Sequence, residues 1–147
     1  MFAVGVDVSN GRSTVAVLGA RRKVVLKPFE VPHTADGFAS LAKKLNGLDG
    51  EARIVMEHTG RYYESFAMSM HRAGFFVSAV NPLVIKDYRE DISVRKVKTD
   101  KADALKIAQF AIDKWKFCRN ILPWRQFVTT SKPCIASSNY PARPRPR

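Results

Sequence analysis

The sequence predicts an α/β domain: a mixed five-stranded sheet, three antiparallel strands and then parallel ones, flanked by helices. Three observations predict it. The first 31 residues hold three apolar, strand-like runs joined by short turns. From residue 34 the apolar spacing switches to a helical period and then alternates with short apolar runs. The resulting order is β-β-β-α-β-α-β-α-α. Strands joined by tight turns pair antiparallel, whereas strands separated by helices join in parallel through right-handed crossovers.

Each element has its own signal. Phe2–Ser9 alternates apolar and small residues, and Asn10-Gly11 follows as a hairpin turn whose residues tolerate positive φ. Ser13–Gly19 is the second strand. A basic turn at Arg21-Arg22 leads into a third, Val24–Val31, which Pro28 bends or places at an edge. Phe38, Leu41, Ala42 and Leu45 then fall at i, i+3, i+4 and i+7, one stripe of a helix that Thr34 or Asp36 caps and Asn46-Gly47 ends. Arg53–Glu57 is a short buried strand. A helix over Tyr62–Ala73 closes at Gly74, and Phe75–Val80 is the fifth strand. Asn81-Pro82 opens a helical piece to about Asp91, and Thr99 caps a last helix to about Trp115.

After Trp115 the pattern stops. Residues 123–147 hold five of the eight prolines and end in Pro-Ala-Arg-Pro-Arg-Pro-Arg, extended and basic. The reading is therefore a domain over residues 1–115 and a Pro/Arg-rich, irregular or disordered tail over 116–147.

The chain has 147 residues, 46% hydrophobic and 26% charged, in the range of an ordinary globular domain. Its charge is unusual. Twenty-five Lys and Arg against 13 Asp and Glu give a formal +12, which points to a polyanionic partner, nucleic acid first among them. More than half of that excess lies in residues 113–147, where eight basic residues face the single acid Asp113. No run of 18 apolar residues predicts a membrane span, and Asp7 interrupts the first apolar run, unlike a secretory signal. Cys118 and Cys134 lie outside the patterned region without motif spacing, as reduced thiols of a cytoplasmic protein would.

Asp7 stands inside Val4-Gly5-Val6-Asp7-Val8-Ser9, where an ionised carboxylate is costly unless something positive compensates it. The plainer reading is a strand-end Asp bonded to the following turn. Glu57 ends Ile54-Val55-Met56 and poses the same question. In the predicted sheet its strand lies beside the first. Two such carboxylates at 4 Å would repel by roughly 4 kcal/mol at an effective dielectric of 20, a penalty that a divalent cation removes. Behind the Thr99 cap, Asp100 and Asp103 share one face of the last helix, where the alternative role is to stabilise the helix dipole. Four oxygen ligands from two strands and one helix favour Mg²⁺ or Mn²⁺ over zinc, and the arrangement is that of RNase H-like nucleases.

Gly5-Val6-Asp7-Val8-Ser9, Met56-Glu57-His58-Thr59-Gly60, Asn81-Pro82 and Lys98-Thr99-Asp100-Lys101-Ala102-Asp103-Ala104 together closely resemble the DEDD transposases of the insertion-sequence one-ten family, which includes the Piv-type DNA invertases. The resemblance covers about residues 2–114. It implies a RuvC-like, RNase H-like fold with Asp7, Glu57, Asp100 and Asp103 as catalytic metal ligands. It also implies DNA cleavage and strand transfer, for which the expected mechanism is two-metal phosphoryl transfer; Asp7, being central in the sheet, is the best candidate for the bridging ligand. DNA is then the partner, with a structured guide RNA and a homo-oligomer in the full-length protein, in a prokaryotic, nucleoid-associated setting.

Family members continue through a coiled coil into a second domain whose serine is thought to attack DNA. Nothing after Trp115 resembles those parts, and Ser131, Ser137 and Ser138 lie in no matching motif. The tail reads as a truncation, a frameshifted end or an expression scar, and the chain alone is expected to fall short of full strand exchange.

Lys86, Arg89, Arg95, Lys96, Lys98 and Lys101 flank the acidic helix as candidate nucleic-acid contacts, although Asp87, Glu90 and Asp91 interleave them as a solvated face would. For His58 the competing roles are a phosphate contact and a helix-entry hydrogen bond; for Tyr62 and Tyr63, stacking and core packing. Two other classes compete with the whole reading. One is a non-catalytic nucleic-acid-binding or dimerisation module. The other is an actin-like ATPase half-domain, which needs neither Glu57 nor the Thr99–Asp103 segment.

Overall fold

The computed structural model describes residues 1–58, 60–91 and 99–119. Five strands and four helices follow in the predicted order: β1 Phe2–Ser9, β2 Arg12–Leu18, β3 Val24–Pro32, α1 Ala35–Asn46, β4 Ala52–Glu57, α2 Tyr62–Arg72, β5 Phe76–Val80, α3 Pro82–Asp91 and α4 Asp100–Asp113. The sheet order is β3-β2-β1-β4-β5. β1 pairs antiparallel with β2 and parallel with β4, β3 is an antiparallel edge, and β5 closes the other edge in parallel.

Local chemistry sets the joints. Ser9 pairs with Arg12 across the Asn10-Gly11 turn, and of the two turn residues only Gly11 takes a positive φ, +74°. The register between β2 and β3 shifts twice between Val15 and Leu18, opposite the segment that holds Pro28. That proline therefore sits on an edge strand and at an irregular stretch of pairing, the two places a residue without an N–H is tolerated. Thr34 caps α1 by accepting from the Gly37 N–H at 3.0 Å. The Asn81 side chain accepts from the Leu83 N–H at 2.9 Å at the entry to α3.

Two apolar layers enclose the sheet. On one face Val4, Val6, Val15, Val17, Ile54 and Met56 pack against Leu41 and Leu45 of α1 and Phe66 and Met70 of α2. On the other, Ala3, Val55 and Val80 meet Ile85 and Tyr88 of α3 and Ile107, Phe110 and Ala111 of α4. Successive residues of a strand face opposite sides, so β1 gives Val4 and Val6 to one layer and Ala3, Gly5 and Asp7 to the other.

Two features were not foreseen. The basic turn is a short 3-10 segment, Ala20–Arg22, in which Arg21 and Arg22 adopt φ of 56° and 60°. Arg22 is held there by an ion pair with Asp113 at the end of α4, its Nε donating to Asp113 Oδ1 at 3.3 Å. Ordered packing also continues past Trp115: a second 3-10 turn spans Trp115–Phe117, and Cys118 is buried in the α3/α4 layer. Burial pushes the Cys118 thiol up to about 11. The expected tail beyond residue 119 and Cys134 lie outside the described residues. Among the described residues no helix is long and apolar enough to cross a membrane.

Candidate functional site

β1 and β4 are paired in parallel up to Val6 opposite Met56, so Asp7 and Glu57 are each the next residue beyond that rung. Both project from the α4 face, as Gly5 and Val55 do two residues earlier. Both are half-buried. Thr14 pairs with Asp7 on the other side, and Glu30 pairs with Thr14. One polar row thus crosses the sheet through Glu30, Thr14 and Asp7, with Glu57 beside it. Thr14 is 6% exposed, one of the few buried polar side chains, and Glu30 faces Arg12 across 3.6 Å.

α4 brings the remaining acids to this end of the sheet. A Cβ added to Gly5 would lie 2.2 Å from the Ala104 carbonyl oxygen and 2.3 Å from the Ala108 nitrogen. The helix backbone therefore rests directly on β1. Toward the start of β1, Ala3 shares its layer with Ile107, Phe110 and Ala111. The helix thus runs antiparallel to β1, with its first turn at the Asp7 end. Thr99 caps that turn, its hydroxyl accepting from the Ala102 N–H at 3.2 Å. Asp100 is exposed; Asp103 is half-buried, with Lys106 Nζ 3.7 Å from its carboxylate. Both acids sit in the first turn, where the helix dipole favours negative charge.

Proximity at one end is not the same as a formed cage. Among the described residues no group of three or more His, Cys, Asp or Glu side chains is gathered closely enough to hold a metal ion. The donor set still suits a hard divalent cation, being carboxylate oxygen throughout.

The neighbouring candidates divide. The His58 ring packs on Tyr63 with centroids 4.7 Å apart, and its backbone N–H donates to the Val80 carbonyl at 2.8 Å, prolonging the β4–β5 pairing. Tyr63 is buried in the core, as packing requires, while Tyr62 is 51% exposed. Lys86 and Lys101 are exposed on α3 and α4. Arg95, Lys96 and Lys98 lie outside the described residues, as does the Arg89 side chain.

Sequence reasoning passed over three residues here. Gly5 carried a usable signal, since glycine inside an apolar strand often marks a close backbone approach. Thr14 and Glu30 carried only strand alternation. At the opposite end of α4, Asp113 accepts from the Tyr88 hydroxyl at 2.6 Å as well as from Arg22. Burial, together with that hydrogen bond, pushes the Tyr88 hydroxyl up to about 12.

The fold is shared with solved structures of RuvC. Thermus thermophilus RuvC in complex with a Holliday junction substrate superposes with a TM-score of 0.58 at 16% identity, covering 82% of this chain and 99% of that one. A second Thermus thermophilus RuvC structure gives a TM-score of 0.58 at 16% identity, covering 82% and 100%. At that identity the likeness establishes the fold, which is RNase H-like as the sequence predicts. A comparison with curated proteins gives no match. The family model described as the transposase of the IS110 DEDD class matches residues 4–124, most of the chain and both ends of the site just described. The chain belongs to the DEDD transposase family of the insertion-sequence one-ten group.

Proposed function

We propose that this nuclease-like transposase domain cleaves DNA strands by divalent-metal-dependent phosphoryl transfer at the end of the sheet where Asp7 and Glu57 meet the first turn of α4. The observation that carries the proposal is the placement of those two carboxylates on one face of neighbouring parallel strands, beyond the Val6–Met56 rung. RuvC, solved on a Holliday junction, supports DNA as the substrate class.

Asp7, on the central strand, is positioned to be the shared ligand, with Glu57 on one side and Asp100 and Asp103 arriving from α4. Mg²⁺ or Mn²⁺ ions, when bound, supply Lewis-acid stabilisation of the attacking and leaving oxygens of an in-line displacement. Without them the carboxylates repel one another, and that repulsion favours a spread arrangement. The Thr99 cap fixes the turn that presents Asp100 and Asp103, and Gly5 sets how near that turn comes to Asp7. Lys86 and Lys101 would hold flanking phosphates.

By the family resemblance, the serine that attacks DNA in strand transfer belongs to a second domain. The same resemblance supports a guide RNA and a second copy of the chain as partners. The reaction assigned to the RNase H-like domain is strand nicking with water as nucleophile. Nicking of supercoiled plasmid tests it. The wild-type chain should nick slowly with Mg²⁺ or Mn²⁺ and not with chelator present, and Asp7→Asn should lower the rate at least a hundredfold with little change of shape. Nicking at full rate in Asp7→Asn would place the activity elsewhere.

A further inference from the structure

The far end of α4 has the opposite electrostatic character. Its last residue, Asp113, lies in a group of basic residues from two separated segments: Arg21, Arg22 and Lys23 in the β2–β3 turn, and Lys114, Lys116 and Arg119 after the helix. Arg22 neutralises Asp113 and thereby ties the turn to the helix end. The other five are exposed, and among the described residues none of them forms an ion pair.

A helix C-terminus favours nearby cations, which accounts for Lys114 and Lys116 at most. It does not account for Arg21, Lys23 or Arg119. Nor does it account for two consecutive arginines at φ of 56° and 60°, a conformation that L side chains avoid and that tends to persist where neighbouring structure enforces it. Here the turn is closed by the Gly19 N–H donating to the Lys23 carbonyl at 2.8 Å and tied to α4 by the Arg22–Asp113 pair, and Arg21 and Lys23 are left exposed beside it.

We propose that Arg21, Lys23, Lys114, Lys116 and Arg119 form a second nucleic-acid surface that grips the phosphodiester backbone of duplex DNA. Phosphate contacts of this kind position a protein without reading sequence. α4 has 14 residues and spans about 21 Å, roughly six base-pair steps of 3.4 Å. A duplex laid along α4 with one phosphodiester at the carboxylate end would meet the basic end about half a helical turn away. That spacing rests on the proposed cleavage site; the binding surface itself does not.

The test is fluorescence anisotropy of a labelled duplex titrated with the full chain, in chelator and across a salt series, so that it reads binding whether or not cleavage occurs. Lys114→Gln/Lys116→Gln should weaken duplex binding about tenfold and flatten the salt slope by about 1.8, at about 0.9 per lost phosphate contact. Lys27→Gln/Lys43→Gln, which removes the same charge from exposed positions on β3 and α1, should leave the slope unchanged. Arg21→Gln/Lys23→Gln repeats the test from the other segment, and circular dichroism melts check that each variant folds. Equal losses in the patch and control variants would overturn the proposal in favour of net charge alone. A loss confined to structured RNA, with duplex binding intact, would overturn the assignment to DNA.

Discussion

On the face of the sheet covered by α1 and α2, Leu41, Leu45, Ile54, Met56, Phe66 and Met70 are almost wholly buried, and their bulk separates the helices from the strands. On the face covered by α4 the contact is made by Gly5 and the backbone of Ala104 and Ala108, with no side chain between them. The first face buries large side chains, each contributing about 1.5–3 kcal/mol of transfer free energy. The second gives up volume to bring the first turn of a helix up to Asp7. Glu30, Thr14, Asp7 and Glu57 lie on that second face. Ile85, Ile107 and Phe110 are buried on the second face as well, but the close helix approach and the proposed chemistry belong to it alone, and that contrast can be tested from either side.

The largest expected loss of stability comes from the apolar face. Phe66→Ala removes a fully buried ring that packs edge-on to Phe38 at 5.6 Å, and should cost about 3–5 kcal/mol in denaturant unfolding. It should leave divalent-metal binding unchanged under conditions where the variant is folded. Gly5→Ala should cost about 3 kcal/mol, the upper end for overpacking, because its Cβ meets helix backbone that cannot rotate aside. Unlike Phe66→Ala, it should also weaken metal binding in the folded protein. If both variants change stability alone, the division between the faces is wrong.

A smaller effect sharpens the same contrast by pH. His33 belongs to the apolar face, where its ring lies near Phe38 and Phe66 and its Nε2 is 2.8 Å from the Ser13 hydroxyl. Burial holds its pKa below the usual 6.5. The unfolded chain therefore takes up the proton first as pH falls, and the stability His33 contributes is present above 6.5 and lost progressively below it. The melting-temperature gap between wild type and His33→Gln should narrow from pH 7.5 to 5.5. A gap independent of pH would show that the ring contributes only by packing.

The order of strands and helices was legible because periodicity changes cleanly from 2 to 3.6 and the turn residues punctuate it: Asn10-Gly11, Thr34, Gly47, Gly74, Asn81-Pro82 and Thr99 fall at or beside element ends. The elements that carry the four acids were legible for the same reason, since strand parity and helix capping are local. Contacts made across the sheet were not. The Arg22–Asp113 pair spans 91 residues of sequence, and no local pattern encodes it. Cys118 falls outside the sequence pattern because the helical period ends before it, yet a 3-10 turn folds it back into the core. Tyr62 and Tyr63 are adjacent and of one type, and only the helix phase separates the exposed ring from the buried one.

Mn²⁺ binding followed by electron paramagnetic resonance tests the proposed role of Asp7 as the shared metal ligand of the α4 face. Free Mn²⁺ gives a strong solution signal that falls as the ion is bound, so affinity is read without any cleavage step. Glu30→Gln serves as the control, because Glu30 stands on the same row but is engaged with Arg12. Binding should be saturable in the wild-type chain, retained in Glu30→Gln and weakened at least tenfold in Asp7→Asn. Wild-type affinity in Asp7→Asn, or no saturable binding in the wild-type chain, would contradict that role.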